Sequence, residues 1–464
     1  MPRTIVPLPL ALILLLSACS SLHYPVNPPL DAYSAERIDR ARTLRPRGSS
    51  DRIFVVVTFS GGGTRAAAFG YGVLEELANT NIVFDGRERN LLNEIDVVSG
   101  VSGGSFIAAY FGLHGAETLQ TFGPRFLYRD VQKALKRAVF APRNWGSLWS
   151  SKFARSDLVA DWFDREIFDR ATFSDLSRKR GASVIINATD LTRGAPFSFV
   201  ADQFALICSD LGKVHLARAA VASAAVPVLF SPITFRNYAG RCGYQVPDWV
   251  GTELANNQHD SRRGQRAELI SSYLDSVERP YIHLVDGGLS DNLGLRAILD
   301  EVVFAGGIQQ TVERQRLGAT DHILFMVVNA QSGLNSSWDQ LEGGPSARQV
   351  VDAATTVQIN RYNFETVELL RRSVAAWGDE LRNARCQAAL AANAATTCSA
   401  VKMHLVEINF ESVKDPGLRK TLRLMPTSFA LPKDAVDQIR GTARALLRDS
   451  AEYHEFLQSV TAKP

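Results

Sequence analysis

The stretch IFVVVTFSGGGTR, residues 53–65, decides the fold that the sequence predicts. Its first part, Ile53 to Phe59, is a continuous run of apolar and β-branched side chains, the pattern of a strand buried on both faces. The glycine run at 61–63 predicts a sharp turn, and a helix begins near Thr64. A buried strand, a glycine turn and a helix in this order indicate an α/β fold with a largely parallel sheet.

The same unit recurs further along the chain. Residues 95–99 predict a second short strand, residues 100–104 a tight turn, and residues 106–113 a helix. The remaining predicted elements of this region are strands at 183–188, 281–285 and 323–328 and a helix at 293–304.

The region after Gln331 has a different pattern. Long helical stretches at 346–370 and 433–447 flank one alternating run at 403–410. Since no flexible linker precedes this region, we predict an α/β domain over residues 51–330 and a C-terminal extension over residues 331–464 that packs on it.

The composition is that of an ordinary globular protein, with 46% hydrophobic and 21% charged residues in a chain of 464. Its formal net charge of +3 is close to balance for this length. No strong overall field therefore draws the molecule to nucleic acid, and no nucleic-acid partner is predicted.

The pentapeptide Gly-Val-Ser-Gly-Gly at 100–104 places Ser102 on the turn between a predicted strand and a predicted helix. A serine hydroxyl is a poor nucleophile, and acyl-transfer sites hold it on such a turn because small neighbours admit substrate and the helix N-terminus favours negative charge. The pentapeptide alone is weak evidence. Its position after a β-type run and before an apolar helix makes Ser102 a candidate nucleophile.

Ester hydrolysis also needs donors for the oxyanion of the tetrahedral intermediate. Consecutive glycines after a buried strand can point several N–H groups into one space, so we predict Gly61, Gly62 and Gly63 as donors, together with Gly103. Arg65 would fix this loop or meet an anionic head group. A nucleotide-binding loop is the alternative, but the glycine and lysine spacings of phosphate-binding motifs are absent.

The third candidate is Asp286, in the run Leu-Val-Asp-Gly-Gly-Leu-Ser-Asp-Asn at 284–292. With the glycine loop and the serine turn before it, this run resembles the patatin-like phospholipase family, whose hallmarks are a Gly-Gly-Gly-x-Arg loop, a Gly-x-Ser-x-Gly turn and an Asp-Gly-Gly. The Ala-Ser-Ala-Ala-Val-Pro run at 222–227 matches a fourth hallmark of that family. The resemblance covers roughly residues 54–329. Ser60 and Ala66 depart from the residues that many members carry at these positions.

The resemblance implies a three-layer α/β/α sandwich with a mainly parallel central sheet and a helical C-terminal extension. It implies a lipid acyl hydrolase without a cofactor, in which Ser102 attacks the ester and Asp286 accepts its proton directly. Membrane phospholipid or lysophospholipid is the expected substrate.

Two other functions remain open. A Ser-His-Asp triad would pair Asp286 with His322, His404 or His454. His322 precedes a predicted strand, whereas catalytic groups of open parallel sheets gather at the carboxyl ends of strands, so we expect His322 at the surface of the opposite edge. The second alternative is a non-catalytic outer-membrane lipoprotein that keeps a hydrolase scaffold and binds lipid or helps to assemble other proteins.

The N-terminus predicts a lipoprotein signal peptide at 1–18, with Arg3, an apolar run and small residues before Cys19. Such a pattern resembles the bacterial lipobox, in which Cys19 becomes the lipidated N-terminus. Ser20 then favours the outer membrane, with the body in the periplasm or at the cell surface. An ordinary signal peptide is the alternative. The Pro-rich, polar residues 19–50 predict a tether between the membrane and the domain.

Four further cysteines would lie in an oxidising compartment. The local pairings that we favour are Cys208 with Cys242 and Cys386 with Cys398, and reduced, buried cysteine is the alternative. None of them has the spacing with histidine that is typical of metal sites, so no metal is predicted.

A basic and aromatic segment at 124–155 suits a surface of anionic phospholipid, since aromatic rings lie at head-group depth and basic side chains meet phosphate. The alternative is a solvated helix whose aromatic face covers the core. Charge reversal at Lys133, Lys136 and Arg137 distinguishes the two.

Overall fold

The computed structural model describes residues 24, 26–42, 45–140, 155–227, 230–256, 260–333, 336–340, 342–391 and 400–461. The predicted signal peptide, the predicted lipidation site Cys19 and one predicted disulfide partner, Cys398, lie outside the described residues. Residues 141–154 of the basic and aromatic segment also lie outside them. Within the described ranges, no helix has both the length and the apolar character that crossing a bilayer requires.

A central sheet organises the molecule. Over the described residues it has eight strands in the order β10-β9-β1-β4-β5-β8-β7, and β6 pairs with β5. The strands are β1 (Ile53–Phe59), β4 (Ile95–Val101), β5 (Ser183–Asp190), β6 (Ala195–Ser198), β7 (Ile233–Arg236), β8 (Tyr281–Val285), β9 (His322–Asn329) and β10 (Lys402–Asn409), and a separate hairpin is formed by β2 (Asn81–Phe84) and β3 (Arg87–Asn90).

Strands β10, β9, β1, β4 and β5 run parallel, and β8 joins β5 antiparallel. The register pairs Phe59 at the end of β1 with Gly100 near the end of β4. The glycine loop after β1 and the serine turn after β4 therefore lie side by side at the carboxyl edge of the sheet, where open α/β folds place their sites.

Helices cover both faces of the sheet. They are α1 (Ala35–Arg42), α2 (Gly63–Ala78), α3 (Gly103–His114), α4 (Thr118–Phe122), α5 (Val131–Phe140), α6 (Arg155–Glu166), α7 (Phe173–Lys179), α8 (Ala201–Leu206), α9 (Leu216–Ser223), α10 (Asp248–Ala255), α11 (Arg262–Leu274), α12 (Gly288–Asp291), α13 (Arg296–Ala305), α14 (Ile308–Arg314), α15 (Ala347–Ala391), α16 (Pro416–Leu424), α17 (Lys433–Arg448) and α18 (Ala451–Thr461).

Alternate residues of β1 face two different cores. Val55 and Val57 belong to the larger core, which includes apolar residues of α2, α3 and α17, whereas Val56 packs with residues of α13 and α15. Helices on both faces of a strand explain why β1 is a continuous apolar run and not an alternating one. The predicted fold class, an α/β sandwich with a mostly parallel central sheet, is confirmed.

The C-terminal region contributes more than helices. The alternating run at 403–410 forms β10, which pairs in parallel with β9 along its whole length. The long helix α15 continues to Ala391, since Val374, Trp377 and Leu381 extend its apolar spacing. The C-terminal region therefore contributes a strand to the sheet of the predicted α/β domain, and the boundary at 330 stays a prediction.

The predicted tether covers residues 19–50. Its described residues pack on the body of the protein, which a free spacer would not do. Asn27 is buried and donates hydrogen bonds to Ser209 Oγ (2.8 Å) and to the Arg236 carbonyl (3.0 Å). The structure joins Cys208 and Cys242 by a disulfide, and the carbonyls of these two residues accept the N–H groups of Leu30 and Tyr33 at 2.8 Å. Backbone pairing of this kind is not visible in a composition rich in proline and polar residues.

Candidate active site

Ser102 occupies a strained turn between β4 and α3. Its backbone angles are φ 49° and ψ −122°, a left-handed conformation that a non-glycine residue adopts only when its surroundings enforce it. The next residue, Gly103, lies against the glycine loop so closely that a Cβ atom there would be 2.1 Å from the Gly63 carbonyl oxygen. The small residues around Ser102 are therefore required by contact with a second segment as well as by the turn.

Asp286 follows β8 and is buried, with 8% of its surface exposed. Its Oδ1 accepts the Gly288 N–H at 2.8 Å, whereas its Oδ2 has no hydrogen-bond partner of standard geometry among the described residues. Burial raises the pKa of this carboxyl from 3.8 to about 6, while the Gly288 N–H and the Ser102 hydroxyl act to lower it. The structure thus brings the two predicted catalytic residues together, and the contact between them is looser than a formed hydrogen bond, as is common before substrate binds.

Ser223 fastens the serine turn and the aspartate turn to each other. Its Oγ accepts the N–H of Ser102 at 2.8 Å and donates to the Asn187 carbonyl at 2.5 Å. The Ser223 carbonyl accepts the Gly287 N–H at 2.9 Å, and the Asp286 N–H donates to the Ala225 carbonyl at 3.0 Å. The Ala-Ser-x-x-x-Pro run therefore fixes the positions of Ser102 and Asp286 relative to each other.

The glycine loop offers fewer free donors than the sequence predicts. The N–H of Gly61 donates to the Asn292 carbonyl at 3.0 Å, so it is not available to an oxyanion in this structure. Within the described ranges, the N–H groups of Gly62, Gly63 and Gly103 have no acceptor. In this structure the candidate oxyanion hole beside Ser102 therefore consists of Gly62, Gly63 and Gly103, and the role predicted for Gly61 stays a prediction.

Arg65 is a positioning residue in this structure. Its side chain is 1% exposed, and it donates to the carbonyls of Ala330 (3.0 Å) and Met425 and to Thr427 Oγ1 (3.3 Å). Burial lowers the pKa of its guanidinium to about 10. These contacts favour the predicted loop-fixing role over contact with a lipid head group, because a side chain this buried does not reach solvent.

The segment after α16 completes the support of the glycine loop. The Thr64 N–H donates to the Ser428 carbonyl at 2.8 Å, and a Cβ atom on Gly63, whose φ is +59°, would be 2.4 Å from the same carbonyl oxygen. The candidate oxyanion hole is therefore buttressed by the C-terminal region, which the sequence did not indicate.

The histidines of the alternative triad lie at the other edge of the sheet. His322 begins β9 opposite Ile53, and His404 is one strand further out, with Ser459 Oγ between their rings at 3.3 and 3.0 Å. Seven residues of strand, about 23 Å, separate this edge from the carboxyl ends. His322 is buried and not at the surface as predicted, and burial lowers its pKa to about 4. His454, on α18, is exposed. The structure therefore does not bring these three histidines to Ser102 and Asp286.

Three further residues shape the site without being predicted for it. Ser223 lies in a run that the sequence had singled out, but only its contacts give it a role. The Asn292 carbonyl accepts the Gly61 N–H, and the Thr189 hydroxyl donates to the Asp286 carbonyl at 2.8 Å. In the part of the chain that the structure describes, no group of three or more His, Cys, Asp or Glu residues is arranged to hold a metal ion.

The basic and aromatic segment is described only as far as α5. Lys133, Lys136 and Arg137 are exposed on this helix, and its apolar residues face the core. Arg125 and Arg129 are paired with Asp169 and Glu166 at 2.7 and 2.9 Å, so part of the positive charge that the segment carries in sequence is neutralised.

Comparisons with known proteins agree with these features. The family model described as patatin-like phospholipase matches residues 57–299, more than half of the chain. No curated protein matches the sequence.

Among solved structures, human GIVD cytosolic phospholipase A2 is 12% identical, with 67% of this chain and 52% of that chain covered and a TM-score of 0.34. VipD from Legionella pneumophila is 12% identical, with 97% and 77% covered and a TM-score of 0.28. ExoU from Pseudomonas aeruginosa, in complex with SpcU, is 14% identical, with 96% and 98% covered and a TM-score of 0.24. The chain spans about half the length of the human enzyme.

Proposed function

This chain belongs to the patatin-like phospholipase family, and from that premise we propose that it is a lipid acyl hydrolase that cleaves carboxylic esters with Ser102 as nucleophile and Asp286 as general base. The observation that carries the proposal is a buried Asp286 whose Oδ2 has no partner of standard geometry among the described residues and whose pKa the hydroxyl of Ser102, on a strained turn, acts to lower. A binding protein gains nothing from a desolvated carboxylate beside a strained serine, whereas a hydrolase needs both.

The mechanism follows from these two side chains. Asp286, whose pKa of about 6 leaves it mostly ionised at neutral pH, takes the proton of Ser102 as Oγ attacks the ester carbonyl carbon. The tetrahedral intermediate collapses to an acyl-serine, and the protonated Asp286 returns its proton to the leaving alcohol. Water then attacks the acyl-serine by the reverse proton route, so that a fatty acid leaves and both residues are restored.

The free N–H groups of Gly62, Gly63 and Gly103 would stabilise the negative charge on the carbonyl oxygen in both steps. Removing one such donor in a serine hydrolase costs on the order of 10²- to 10³-fold in kcat. The close contact of Gly63 with Gly103 supports a shared role for these donors.

Phospholipid or lysophospholipid is the proposed substrate. The exposed cations of α5, Lys133, Lys136 and Arg137, would contact an anionic lipid surface. Reversing these three charges should slow hydrolysis of anionic vesicles and spare a soluble short-chain ester. Equal loss on both substrates would contradict this docking.

An outer-membrane location through lipid on Cys19 is also proposed, on the sequence pattern alone. Metabolic labelling with radioactive palmitate should mark the wild-type protein and not Cys19→Ser. Labelling that persists in Cys19→Ser would contradict this assignment.

The test of the function is acyl release from defined glycerophospholipids and from a short-chain p-nitrophenyl ester. Ser102→Ala and Asp286→Asn should each lose activity on both substrates, and His322→Ala, a matched change of a buried residue at the other edge, should keep it. Activity that survives Ser102→Ala would refute the proposal. Loss in His322→Ala with full activity in Asp286→Asn would favour a Ser-His triad, and inactive wild type with retained lipid binding would favour the non-catalytic lipoprotein.

A further inference from the structure

A large cavity lies on the sheet face that carries Val56, at the opposite end of the strands from the catalytic residues. Its volume is about 580 Å³, within the range of small-molecule sites. Phe54, Val97 and Phe325 form its floor, all in the amino-terminal halves of their strands. Ser102 follows the other end of β4, about 15 Å along the strand from Val97. The cavity is therefore separate from the candidate active site.

The walls of the cavity are apolar and come from two parts of the molecule. Ile298, Val302 and Trp377 line it from α13 and α15, and Leu30 and Ile38 line it from the N-terminal segment. A mainly apolar lining of this kind favours the apolar part of a ligand. An acyl chain is the apolar group that this lining fits.

Arginines lie at the rim. Arg37, Arg45 and Arg180 line the cavity, and Arg45 is engaged with Asp96 at 3.0 Å. The guanidinium groups of Arg37 and Arg180 are exposed and have no partner among the described residues. These two side chains can therefore receive an anionic group at the rim.

The acidic residues of the lining have other contacts. Asp210 pairs with Lys213 at 3.2 Å and Glu301 pairs with Arg314 at 3.6 Å, and the charge of Asp202 acts to raise the pKa of the Arg266 guanidinium. The charge left for a ligand at this rim is thus positive.

We propose that this cavity binds one free fatty acid, with the chain inside and the carboxylate at Arg37 and Arg180. A single acyl chain with one negative end matches both the apolar walls and the cationic rim. Because the N-terminal segment forms one wall, the ligand would also fasten that segment to the body. Hydrolysis at Ser102 would release such a fatty acid, but the binding itself does not depend on that reaction.

Trp377 offers a local reporter of binding, because it lines the cavity and is 9% exposed. A fatty acid brominated in its chain should quench tryptophan fluorescence of the Ser102→Ala protein, and a large part of this quenching should vanish in the Ser102→Ala, Trp377→Phe protein. Undiminished quenching without Trp377 would place the lipid elsewhere and overturn the proposal. The Ser102→Ala background keeps this test independent of whether the wild type hydrolyses lipid.

The rim is tested by charge reversal in the same background. Arg37→Glu with Arg180→Glu should weaken binding of the brominated fatty acid by about tenfold, on the scale of two exposed charge contacts. Arg444→Glu, the same change on the exposed side of α17, should leave the affinity unchanged. A brominated alcohol of equal chain length should bind weakly, and the charge reversals should leave its affinity unchanged. Equal affinity for the alcohol, or for lysophosphatidylcholine, would overturn the assignment of a carboxylate at the rim.

Discussion

Replacing Asp286 with asparagine should stabilise the fold while it abolishes hydrolysis. The folded protein holds this carboxyl at a pKa of about 6 against 3.8 for the free group, because burial removes its water and the free Oδ2 gains no partner among the described residues. A raised pKa means that the folded state binds the proton more tightly than the unfolded state. The ionised group therefore costs stability, and this cost grows as the pH rises from about 4 to 6. Asparagine has no charge to bury, and its side-chain oxygen can still accept the Gly288 N–H.

The size of the effect follows from the shift. Each pKa unit corresponds to about 1.4 kcal/mol, so the asparagine variant should exceed wild type by about 3 kcal/mol near pH 7.5 and by only about 1 kcal/mol near pH 4.5. Urea unfolding followed by circular dichroism measures both values. Asp31→Asn, which removes an exposed carboxylate, serves as the control and should show no gap that widens with pH. A variant that is less stable than wild type, or a gap that is equal at the two pH values, would refute the reasoning.

Four other outcomes are expected. Ser102→Gly should be more stable than Ser102→Ala by about 1 kcal/mol in free energy of unfolding, because φ 49° strains any side chain; equal stability would contradict the strain. Ser223→Ala removes the acceptor of the Ser102 N–H and should lower kcat about tenfold with little change in KM; a KM effect alone would contradict a positioning role. The kcat/KM of the wild type should fall as the pH drops through about 6, since Asp286 must be ionised, and a pH profile that is flat down to about 4.5 would exclude it as the base. A Cys208→Ala, Cys242→Ala protein, which lacks the disulfide that spans 34 residues, should be about 3–4 kcal/mol less stable than the oxidised wild type in urea unfolding; equal stability of the two proteins would contradict a stabilising role for this disulfide.

The central elements of the fold were predictable because their signal is local. The run at 53–59 is apolar or β-branched at every position, as a strand covered on both faces requires, and the glycines after it mark a sharp turn. The alternating run at 403–410 was recognised as a pattern, but its pairing with β9 was not, since alternation says nothing about the neighbour of a strand. The packing of Asn27 on Ser209 was missed for the same reason.

Within the candidate site, too, some residues carry a local sequence signal and others do not. Ser102 and Asp286 carry sequence signals because their chemistry fixes both the residue type and its small neighbours. The occupation of the Gly61 N–H by Asn292 has no such signal, because a backbone carbonyl is offered by every residue. The burial of His322 was missed because the residues that cover it, such as Ser459, come from a distant part of the chain.

The hydrogen bond from Arg65 to the Met425 carbonyl joins residues 360 positions apart in the chain. The site can therefore be complete only after both residues have been synthesised. The ribosome makes Ser102 and Asp286 long before it makes the residues that hold the glycine loop. A growing chain that already contains Ser102 and Asp286 therefore lacks the support of its candidate oxyanion hole. If the proposed function is right, competence to cut lipid would arrive only after Met425 is made, so a chain terminated before that residue would be harmless to the membranes of the cell that makes it.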